Sequence, residues 1–527
     1  MKKTLKRAVA LALAGVLAAG ALVFTGCSSS SSASTSASSS EPKVLNVGAN
    51  TYSVDVSLDP LDGSWNYCYV CYEGMAETLF RIGDDWSAGP WLATDAKTTD
   101  STNKVWEVTL RDDVTYHNGN KMTAATVKEC LDRAMEKSVQ AKGILNMTDI
   151  KADGQKLTIT LAEPCVDLAH ELCNSVFVIY DKPADGSDYA NGISYTGPFM
   201  PGEYQQGVSR SFVAYDNYYG GRAKLDQVNF VVYSDTAAQL VALDKGEIDF
   251  MQGVPFENLA KYEADSNFTV AYADPNSDEM FYFNENRDGV NDIAVRKAIA
   301  MALDRETICK DVYYGYAKPQ YVIFSDQFSF GGTDGINLSV TKYDLDGAKK
   351  LLADAGWADT NGDGTLDKDG TELNLSLVCY PDTYIMGAAD TLATALKQLG
   401  ITVTINPTRD YPSIEKSGDF DIMWTYEGVT RSGTATYFVS NFLSTNGAGN
   451  HAGFSSAAVD EAAEKLAGTT DSAEIRKLIV QAEQAVADDG VMVTWGMRAI
   501  PFVHNAKVDF TPHAYRYYMI DNTTDIK

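Results

Sequence analysis

The sequence has few of the residues on which hydrolytic and metal-dependent enzymes rely. It contains five histidines among 527 residues, and they are scattered along the chain. It also lacks the His-Glu-x-x-His zinc motif, the Gly-x-Ser-x-Gly nucleophile motif and the Gly-x-x-x-x-Gly-Lys phosphate loop. A hydrolase that uses two carboxylates would leave no such motif, so it remains an alternative. We expect that the protein is not an enzyme and has no cofactor.

Cysteine is also scarce. The eight cysteines are too few for a disulfide scaffold in a secreted chain of this length. Cys68 and Cys71 have the spacing of a redox or metal pair, but no second pair and no nearby histidine accompany them. We therefore predict that they are structural, with a disulfide, or a redox or metal site, as the alternatives.

Basic residues are outnumbered by acidic residues, 43 to 71, which gives a formal net charge of −28. Such a surface repels nucleic-acid phosphates and anionic lipid heads, so we expect no nucleic-acid partner. The charge says little about a ligand, because the local charge in a cleft can differ from the surface average. By contrast, 29 tyrosines and 7 tryptophans are available, and such rings suit a concave ligand site.

Long apolar runs are absent except at the N-terminus. There a basic start, residues 1–7, precedes the uncharged stretch Ala8–Phe24, and small residues and Cys27 follow. This order is typical of a bacterial secretory signal. A transmembrane anchor is the alternative, but the 17 residues of the stretch fall short of the roughly 20 that span a bilayer.

The segment Leu22–Cys27 resembles the lipobox of bacterial lipoproteins, in which the cysteine becomes an acylated N-terminus. The resemblance implies cleavage after residue 26, a fatty-acyl anchor such as palmitate on Cys27, and a place on the outer face of the cytoplasmic membrane. Loss of residues 1–26 removes four basic residues and brings the net charge to −32. The serine-rich residues 27–42 are expected to form a flexible tether.

Hydrophobic alternation and helical spacing predict an α/β fold with a mixed sheet. Thr123, Asp292 and Asp344 each precede a helical pattern and have side chains that are good N-caps. The predicted strands are 43–48, 105–110, 156–161, 373–378, 402–405 and 420–424.

Eleven short segments, in order, resemble the family 5 extracellular solute-binding proteins of ABC transporters, which include oligopeptide-, dipeptide- and nickel-binding proteins. Each segment alone is a weak signal, and their shared order is a strong one. The segments are Ser57–Pro60, Glu77–Arg81, Gly89–Ala93, Val105–Val114, His117–Gly119, Thr196–Phe199, Gly246–Asp249, Phe283–Asn284, Val295–Ile299, Ala302–Arg305 and Ala348–Gly356.

This resemblance implies a two-lobed, periplasmic-binding-protein-like α/β fold with mixed sheets and a ligand between the lobes. By analogy the chain crosses between lobes near Met280–Phe283 and Val493–Ala499, where two extended strands suit a hinge. The implied divisions are a signal peptide at 1–26, a tether at 27–42, a discontinuous lobe I at 43–76, 186–279 and 500–527, an extra subdomain of lobe I at 77–185, and lobe II at 280–499.

The same resemblance implies a function. We expect a lipid-anchored substrate-binding component of an ABC importer, which captures short peptides outside the cell and delivers them to a membrane permease. A nickel-chelate-binding importer component is one alternative, and a surface adhesin or scaffold lipoprotein that transports nothing is another. We expect the protein to be a monomer whose partners are the small ligand, the permease and, through its lipid, the membrane.

By analogy with the family, eight residues are candidates for ligand binding. Glu427 would hold a ligand amine, and Arg431 a ligand carboxylate through its planar pair of donors. Tyr437 lies in a segment, 433–438, that looks more like the nickel-binding relatives. The candidate ring walls are Trp65, Tyr67, Tyr282, Trp424 and Tyr426. His451 follows in a Gly/Asn-rich loop and is expected to be exposed.

The segment 359–367 resembles the start of an EF-hand calcium loop. Asp359, Asn361, Asp363 and Asp367 have the spacing of oxygen ligands, but Gly370 stands where the loop needs a bidentate glutamate. The two interpretations are a calcium site built on these four residues and a plain turn.

Overall fold

The structure is a computed structural model that describes residues 41–49, 54–63, 65–273, 277–339, 341–430, 433–515 and 518–527. The predicted signal peptide, the lipid site at Cys27 and most of the tether lie outside the described residues, as does Arg431. The elements below belong to one compact unit, Pro42–Lys527. No helix in the described part of the chain is both long and apolar enough to cross a membrane.

The strands follow each other along the whole unit. In chain order they are β1 Val44–Ala49, β2 Phe80–Ile82, β3 Ala88–Pro90, β4 Ala93–Thr98, β5 Val105–Leu110, β6 Met147–Asp153, β7 Lys156–Leu161, β8 Phe199–Gln205, β9 Ser209–Ala214, β10 Gln227–Val232, β11 Phe250–Gln252, β12 Phe268–Ala273, β13 Ser277–Phe283, β14 Ala317–Pro319, β15 Asp367–Lys368, β16 Thr371–Glu372, β17 Asn374–Cys379, β18 Thr402–Pro407, β19 Ile422–Gly428, β20 Met492–Arg498, β21 Ile500–Asn505, β22 Val508–Asp509 and β23 Asp525–Ile526.

Helices alternate with these strands, and two short π-helical turns follow α9 and α13. The α-helices are α1 Asn66–Tyr72, α2 Ala124–Lys137, α3 Val139–Ile144, α4 Leu168–Glu171, α5 Tyr189–Gly192, α6 Thr236–Lys245, α7 Phe256–Glu263, α8 Ile293–Met301, α9 Arg305–Thr307, α10 Leu345–Asp354, α11 Thr383–Gln398, α12 Tyr411–Ser417, α13 Thr436–Phe438, α14 Ala457–Leu466 and α15 Ser472–Asp489.

Three sheets carry most of the strands. A seven-stranded sheet has the order β12-β21-β11-β1-β10-β9-β8, and a six-stranded sheet has the order β14-β20-β13-β19-β17-β18. A four-stranded antiparallel sheet, β4-β5-β7-β6, forms from residues 93–161. The two larger sheets are mixed, because β1 runs parallel to β10 and β11, and β17 runs parallel to β18 and β19.

The predicted caps are confirmed, and every predicted strand overlaps an observed one, although the strand predicted at 420–424 is β19, which runs Ile422–Gly428. In β5 the buried residues Trp106, Val108 and Leu110 alternate with more exposed ones, which is the pattern that predicted a strand there. Thr123 caps α2 by accepting a hydrogen bond from the backbone N–H of Thr126. Capping by Asp292 and Asp344 follows the same logic, because each carboxylate accepts a backbone N–H of the first turn of its helix.

Two connections join the large sheets. The chain passes from β12 to β13 between Ala273 and Ser277, and from β20 to β21 at Ala499. Ala273 pairs with Ile500 in the seven-stranded sheet, so the two crossings lie side by side. Backbone rotation at two adjacent connections is the geometry that lets one body turn against another.

Two hydrophobic cores support the six-stranded sheet. One face of β13, with Phe281 and Phe283, packs against α8 and α11, and Trp424 and Trp495 lie in the same core. The other face, with Met280 and Tyr282, joins a larger core that continues into the seven- and four-stranded sheets. The seven cysteines among the described residues are free thiols, so Cys68 and Cys71, which are both buried, form no disulfide with each other in this structure.

Candidate ligand-binding cleft

The carboxyl ends of parallel strands from both large sheets meet at the two crossings. The β11 end at Gln252 lies beside the start of β21, because Gln252 pairs with Phe502. The β19 end at Gly428 pairs with Ser277, the first residue of β13. In open α/β sheets ligands bind outside the carboxyl ends of the strands. This edge, between the two sheets, is therefore the candidate ligand-binding cleft.

On the side of the seven-stranded sheet, two predicted site residues lie at the start of α1. Trp65 precedes the helix and is 49% exposed, whereas Tyr67 is buried. The Tyr67 hydroxyl donates a hydrogen bond to Oε1 of Gln140 at 2.6 Å, which ties α1 to α3. Trp65 is thus the ring of this pair that has surface to offer a ligand.

Glu427 and Tyr282 share one face of the six-stranded sheet but lie at opposite ends of it. Glu427 stands opposite Asp278 at the crossing end, and Tyr282 stands opposite Met423. The Tyr282 hydroxyl donates a hydrogen bond to the carboxylate of Glu415. Burial, reinforced by Glu415, raises the pKa of Tyr282. The charge of Glu427 adds to this shift, so Glu427 and the Tyr282 hydroxyl interact across this face.

Trp424 and Tyr426 lie on the opposite face from Glu427, because side chains alternate along β19. Trp424 is buried, with its ring 5.4 Å from the rings of both Phe281 and Trp495. Its position makes it part of the core beneath the cleft. The predicted ring walls therefore do not form one surface.

The Tyr426 ring contacts a charged residue that the sequence prediction missed. The guanidinium carbon of Arg498 lies 4.4 Å from the centre of this ring, and Arg498 Nε lies 3.2 Å from Oε1 of Glu279. Burial raises the pKa of Glu279 to about 7, although Arg498 acts in the opposite direction. Arg498 ends β20 directly before the crossing at Ala499, so this cluster ties both crossing strands together. A lone arginine closing an otherwise apolar strand was the available sequence signal.

Other polar groups follow the ends of β17 and β18. Tyr380 comes directly after β17, is 37% exposed and accepts a hydrogen bond from Arg409, which follows β18. Tyr411 begins α12, where burial, with the carboxylates of Glu427 and Glu415, raises its pKa. The cleft edge of this sheet thus presents phenol, guanidinium and carboxylate groups.

Three further residues that the sequence singled out are Tyr437, Arg431 and His451. Tyr437 lies in the short helix α13, and its hydroxyl accepts a hydrogen bond from Nδ2 of Asn441 at 3.3 Å. Arg431 is outside the described residues, so its role stays a prediction. His451 has a side chain that is 31% exposed, with Nε2 3.9 Å from Oε2 of Glu415.

A cavity of about 340 Å³ lies between two separate parts of the chain. One wall comes from residues 85–171 and the other from residues 328–475. Residues 85–171 include the four-stranded sheet, and residues 328–475 include β17, β18 and β19 of the six-stranded sheet. A volume of this size falls at the lower end of the range for small-molecule sites, about 300–1,000 Å³.

One edge of the cavity is an aromatic contact between its two walls. Trp86, at the turn of the β2–β3 hairpin, has a buried ring that lies 5.2 Å from the ring of Phe328. Phe328 in turn stacks on Phe330 at 5.5 Å. Trp86 has a φ of 64°, a left-handed conformation that is unusual for a bulky residue. Such strain persists where the surrounding contacts hold it.

The loop after β19 contacts the same tryptophan. A Cβ added to Gly433, whose φ is +85°, would lie 2.6 Å from the carbonyl oxygen of Trp86. Only glycine fits this close approach in that conformation. One residue further on, the hydroxyl of Thr434 lies 3.4 Å from Oε1 of Glu171 across the cavity.

Two side chains of α15 hold the segment Phe324–Gly332 in place. Oε1 of Glu483 accepts the backbone N–H of Phe324 at 2.8 Å. Arg476 donates to the backbone carbonyls of Phe330 and Gly332, each at 3.0 Å. These bonds fix the aromatic pair that meets Trp86.

The carboxylates of the predicted calcium loop accept hydrogen bonds from other residues of the same loop. Asp359 accepts the backbone N–H groups of Gly362 and Gly364, and Asp367 accepts the backbone N–H and the hydroxyl of Thr360. Asp363 and Asn361 bond to each other. Across the described ranges, no group of three or more His, Cys, Asp or Glu side chains is placed to hold a metal ion. The calcium site on these four residues stays a prediction.

The class of protein follows from this arrangement and from a family match. Residues 87–450 match the model of the bacterial extracellular solute-binding proteins, family 5 middle. The match covers more than half of the chain, so the chain belongs to this family. The resemblance drawn from the eleven sequence segments is confirmed.

Particular relatives agree with the family match. The chain is 26% identical over 404 residues to the nickel-binding protein NikA of Staphylococcus aureus, covering 76% of this chain and 78% of that protein. It is 28% identical over 453 residues to the oligopeptide-binding protein AppA of Bacillus subtilis, covering 79% and 80%. The crystal structure of a nickel ABC transporter from Bacillus halodurans superimposes with a TM-score of 0.76 at 27% identity, covering 92% of this chain and 100% of that one. The predicted two-lobed, periplasmic-binding-protein-like α/β fold is thereby confirmed.

Proposed function

We propose that this chain is the lipid-anchored substrate-binding component of an ABC importer, which captures short peptides outside the cell and delivers them to a membrane permease. The observation that carries the proposal is the meeting of parallel-strand ends from both large sheets at two adjacent crossings. This geometry supports a ligand held between two bodies that rotate at the crossings. AppA, an oligopeptide-binding relative, supports a peptide as that ligand.

The groups at the cleft suit a zwitterionic peptide. Glu427, at the carboxyl end of β19, is a carboxylate that would pair with a ligand ammonium. Tyr380 and Trp65 offer exposed ring surface from the two sides of the cleft. In our proposal Arg431 takes the ligand carboxylate.

A nickel chelate is the second candidate, and one observation favours it. His451 lies near Glu415 with its side chain partly exposed, and imidazole is a common nickel ligand. NikA of Staphylococcus aureus, a nickel-binding relative, supports the same idea. An adhesin or scaffold would leave the cleft without a small ligand.

The placement of the protein in the cell is part of the proposal. Cleavage before Cys27 and acylation of this residue would hold the chain on the outer face of the cytoplasmic membrane, beside the permease, as a monomer. The lipobox-like sequence and the serine-rich residues that follow it support this arrangement.

Native mass spectrometry of the mature chain, as purified and after mild denaturation, tests the ligand class. The metal content is measured in parallel. Release of a series of short peptides supports the proposal. A stoichiometric metal with a small acidic organic molecule replaces the peptide by a nickel chelate. No adduct, and none after peptide pools or nickel chelates are added, contradicts both and favours the adhesin.

A further inference from the structure

A contact between two helices joins the two sides of the cleft. α7 begins at Phe256, shortly after β11 of the seven-stranded sheet ends at Gln252. α11 begins at Thr383, shortly after β17 of the six-stranded sheet ends at Cys379. Both helices therefore start beyond the carboxyl ends of parallel strands, at the edge that forms the cleft. The ring of Phe256 lies 4.8 Å from the ring of Tyr384 in the first turn of α11, so the two helix starts meet across the cleft.

The hydroxyl group of Tyr384 completes the N-terminus of α7. The first N–H groups of a helix have no partner within the helix, and Pro255 at the N-cap has no side-chain group that accepts one. Tyr384 supplies the acceptor from the other sheet, because the backbone N–H of Phe256 donates to its hydroxyl oxygen at 2.9 Å. The same hydroxyl donates to Oε2 of Glu257 at 2.6 Å. One phenol thus makes two hydrogen bonds to the first turn of a helix on the opposite side of the cleft.

A second tyrosine marks where this contact meets the chain crossings. The hydroxyl of Tyr316 donates to Oε2 of Glu263, the last residue of α7, at 2.9 Å. The carbonyl oxygen of Tyr316 accepts the backbone N–H of Ala499, the residue at the second crossing, at 2.9 Å. Tyr316 is therefore held at the pivot. Tyr384 instead bonds the other end of α7, roughly 10 Å away along the helix axis.

We propose that Tyr384 is a positioning residue for ligand capture, because its hydroxyl caps α7 only while the cleft is closed. The displacement between two bodies that rotate about a pivot grows with distance from the pivot, so opening breaks the bonds of Tyr384 before that of Tyr316. These bonds stabilise the closed state without touching the ligand, and they raise affinity because the ligand binds the closed state more tightly. The inference rests on the proposed function in that a small ligand is captured by closure, and it applies to a peptide and to a nickel chelate alike.

Calorimetry on the mature chain with Cys27→Ser, so that no lipid is attached, tests the inference. The probes are tetra-alanine and the nickel–histidine complex, which are chemically unlike each other. Tyr384→Phe removes the hydroxyl and keeps the ring. We expect this variant to weaken each probe that binds by the same factor, about three- to tenfold, which is the net effect of one or two hydrogen bonds.

Hydrogen exchange of the Phe256 amide provides a readout that a permanent structural bond would not change. It is measured by mass spectrometry with fragmentation to single residues. Ligand should slow this exchange in the parent chain and not in Tyr384→Phe, because the cap forms only on closure. Without ligand the two proteins should exchange equally fast and melt at the same temperature.

Three further variants locate the effect. Tyr316→Phe is the matched control, because it also removes a hydroxyl bonded to a glutamate of α7 but lies at the pivot. It should leave both affinities unchanged. Glu257→Gln keeps an acceptor of the same size, so it should weaken binding less than Tyr384→Phe does. Glu163→Gln, at a side chain that is 86% exposed, controls for the loss of one surface charge and should change neither affinity.

The outcomes separate this inference from the proposed function. Unchanged affinities in Tyr384→Phe overturn the inference alone, and so does an equal loss in Tyr316→Phe. A loss for one bound probe and not for the other means that Tyr384 touches that ligand, which also overturns it. If neither probe binds, the proposed ligand classes fail, and exchange in the ligand-free proteins decides the inference. Slower exchange of the Phe256 amide in the parent than in Tyr384→Phe would show a permanent cap and overturn it, whereas equal exchange supports it.

Discussion

Removal of the aromatic contact between Trp86 and Phe328 should weaken ligand binding without unfolding the chain. The two rings belong to opposite walls of the cavity and lie 5.2 Å apart. An aromatic pair contributes about 0.5–1.5 kcal/mol beyond its buried area. If the contact exists only when the walls are closed, its loss weakens affinity by the corresponding factor, about 2- to 13-fold.

A double-mutant cycle measures this term. Trp86→Ala, Phe328→Ala and the double variant are compared with the parent chain for ligand affinity by calorimetry and for thermal stability without ligand. We expect a coupling of about 0.5–1.5 kcal/mol in affinity and none in the stability of the free protein. Tyr314→Ala is the matched control, because this ring is 55% exposed and does not line the cavity.

Two results would refute this reasoning. A coupling of zero in affinity would mean that the rings touch without contributing to the bound state. An equal coupling in the stability of the ligand-free protein would mean that the contact is permanent. In the second case the walls of the cavity would not move apart.

Three further predictions concern other parts of the chain. Glu427→Gln should weaken binding of free peptides about tenfold but leave N-acetylated peptides nearly unaffected, since only the former carry an ammonium; equal losses in calorimetry would remove Glu427 from that role. Burial raises the pKa of Glu483 from 4.5 to about 8. Its contribution to the free energy of unfolding is therefore full below about pH 4.5 and is lost as the pH rises to about 8, a loss on the order of 4 kcal/mol. Melting temperatures of Glu483→Gln should therefore fall less between pH 5 and 8 than those of the parent, whereas Glu163→Gln should follow the parent; parallel curves would show that Glu483 does not titrate in this range. Cys27→Ser should abolish incorporation of labelled palmitate into the protein in cells, and labelling of this variant equal to that of the parent would contradict a lipid anchor at Cys27.

Local patterns account for the elements that the sequence predicted well. β7 occupies Lys156–Leu161 as predicted, because alternation of apolar residues is a property of the strand itself. Asp292 caps α8 because a short carboxylate before a helical pattern can reach the free N–H groups of the first turn. Signals of this kind depend on neighbours in sequence and need no knowledge of the fold.

The candidate site was harder to predict because it depends on which strands pair. Alternation along β19 separates Trp424 and Tyr426 from Glu427, so the sequence itself predicts that these residues lie on opposite faces of the strand. Arg498 meets Glu279 across two paired strands that are more than two hundred residues apart in the chain. Trp86 meets Phe328 between two walls. No local pattern contains contacts of this kind.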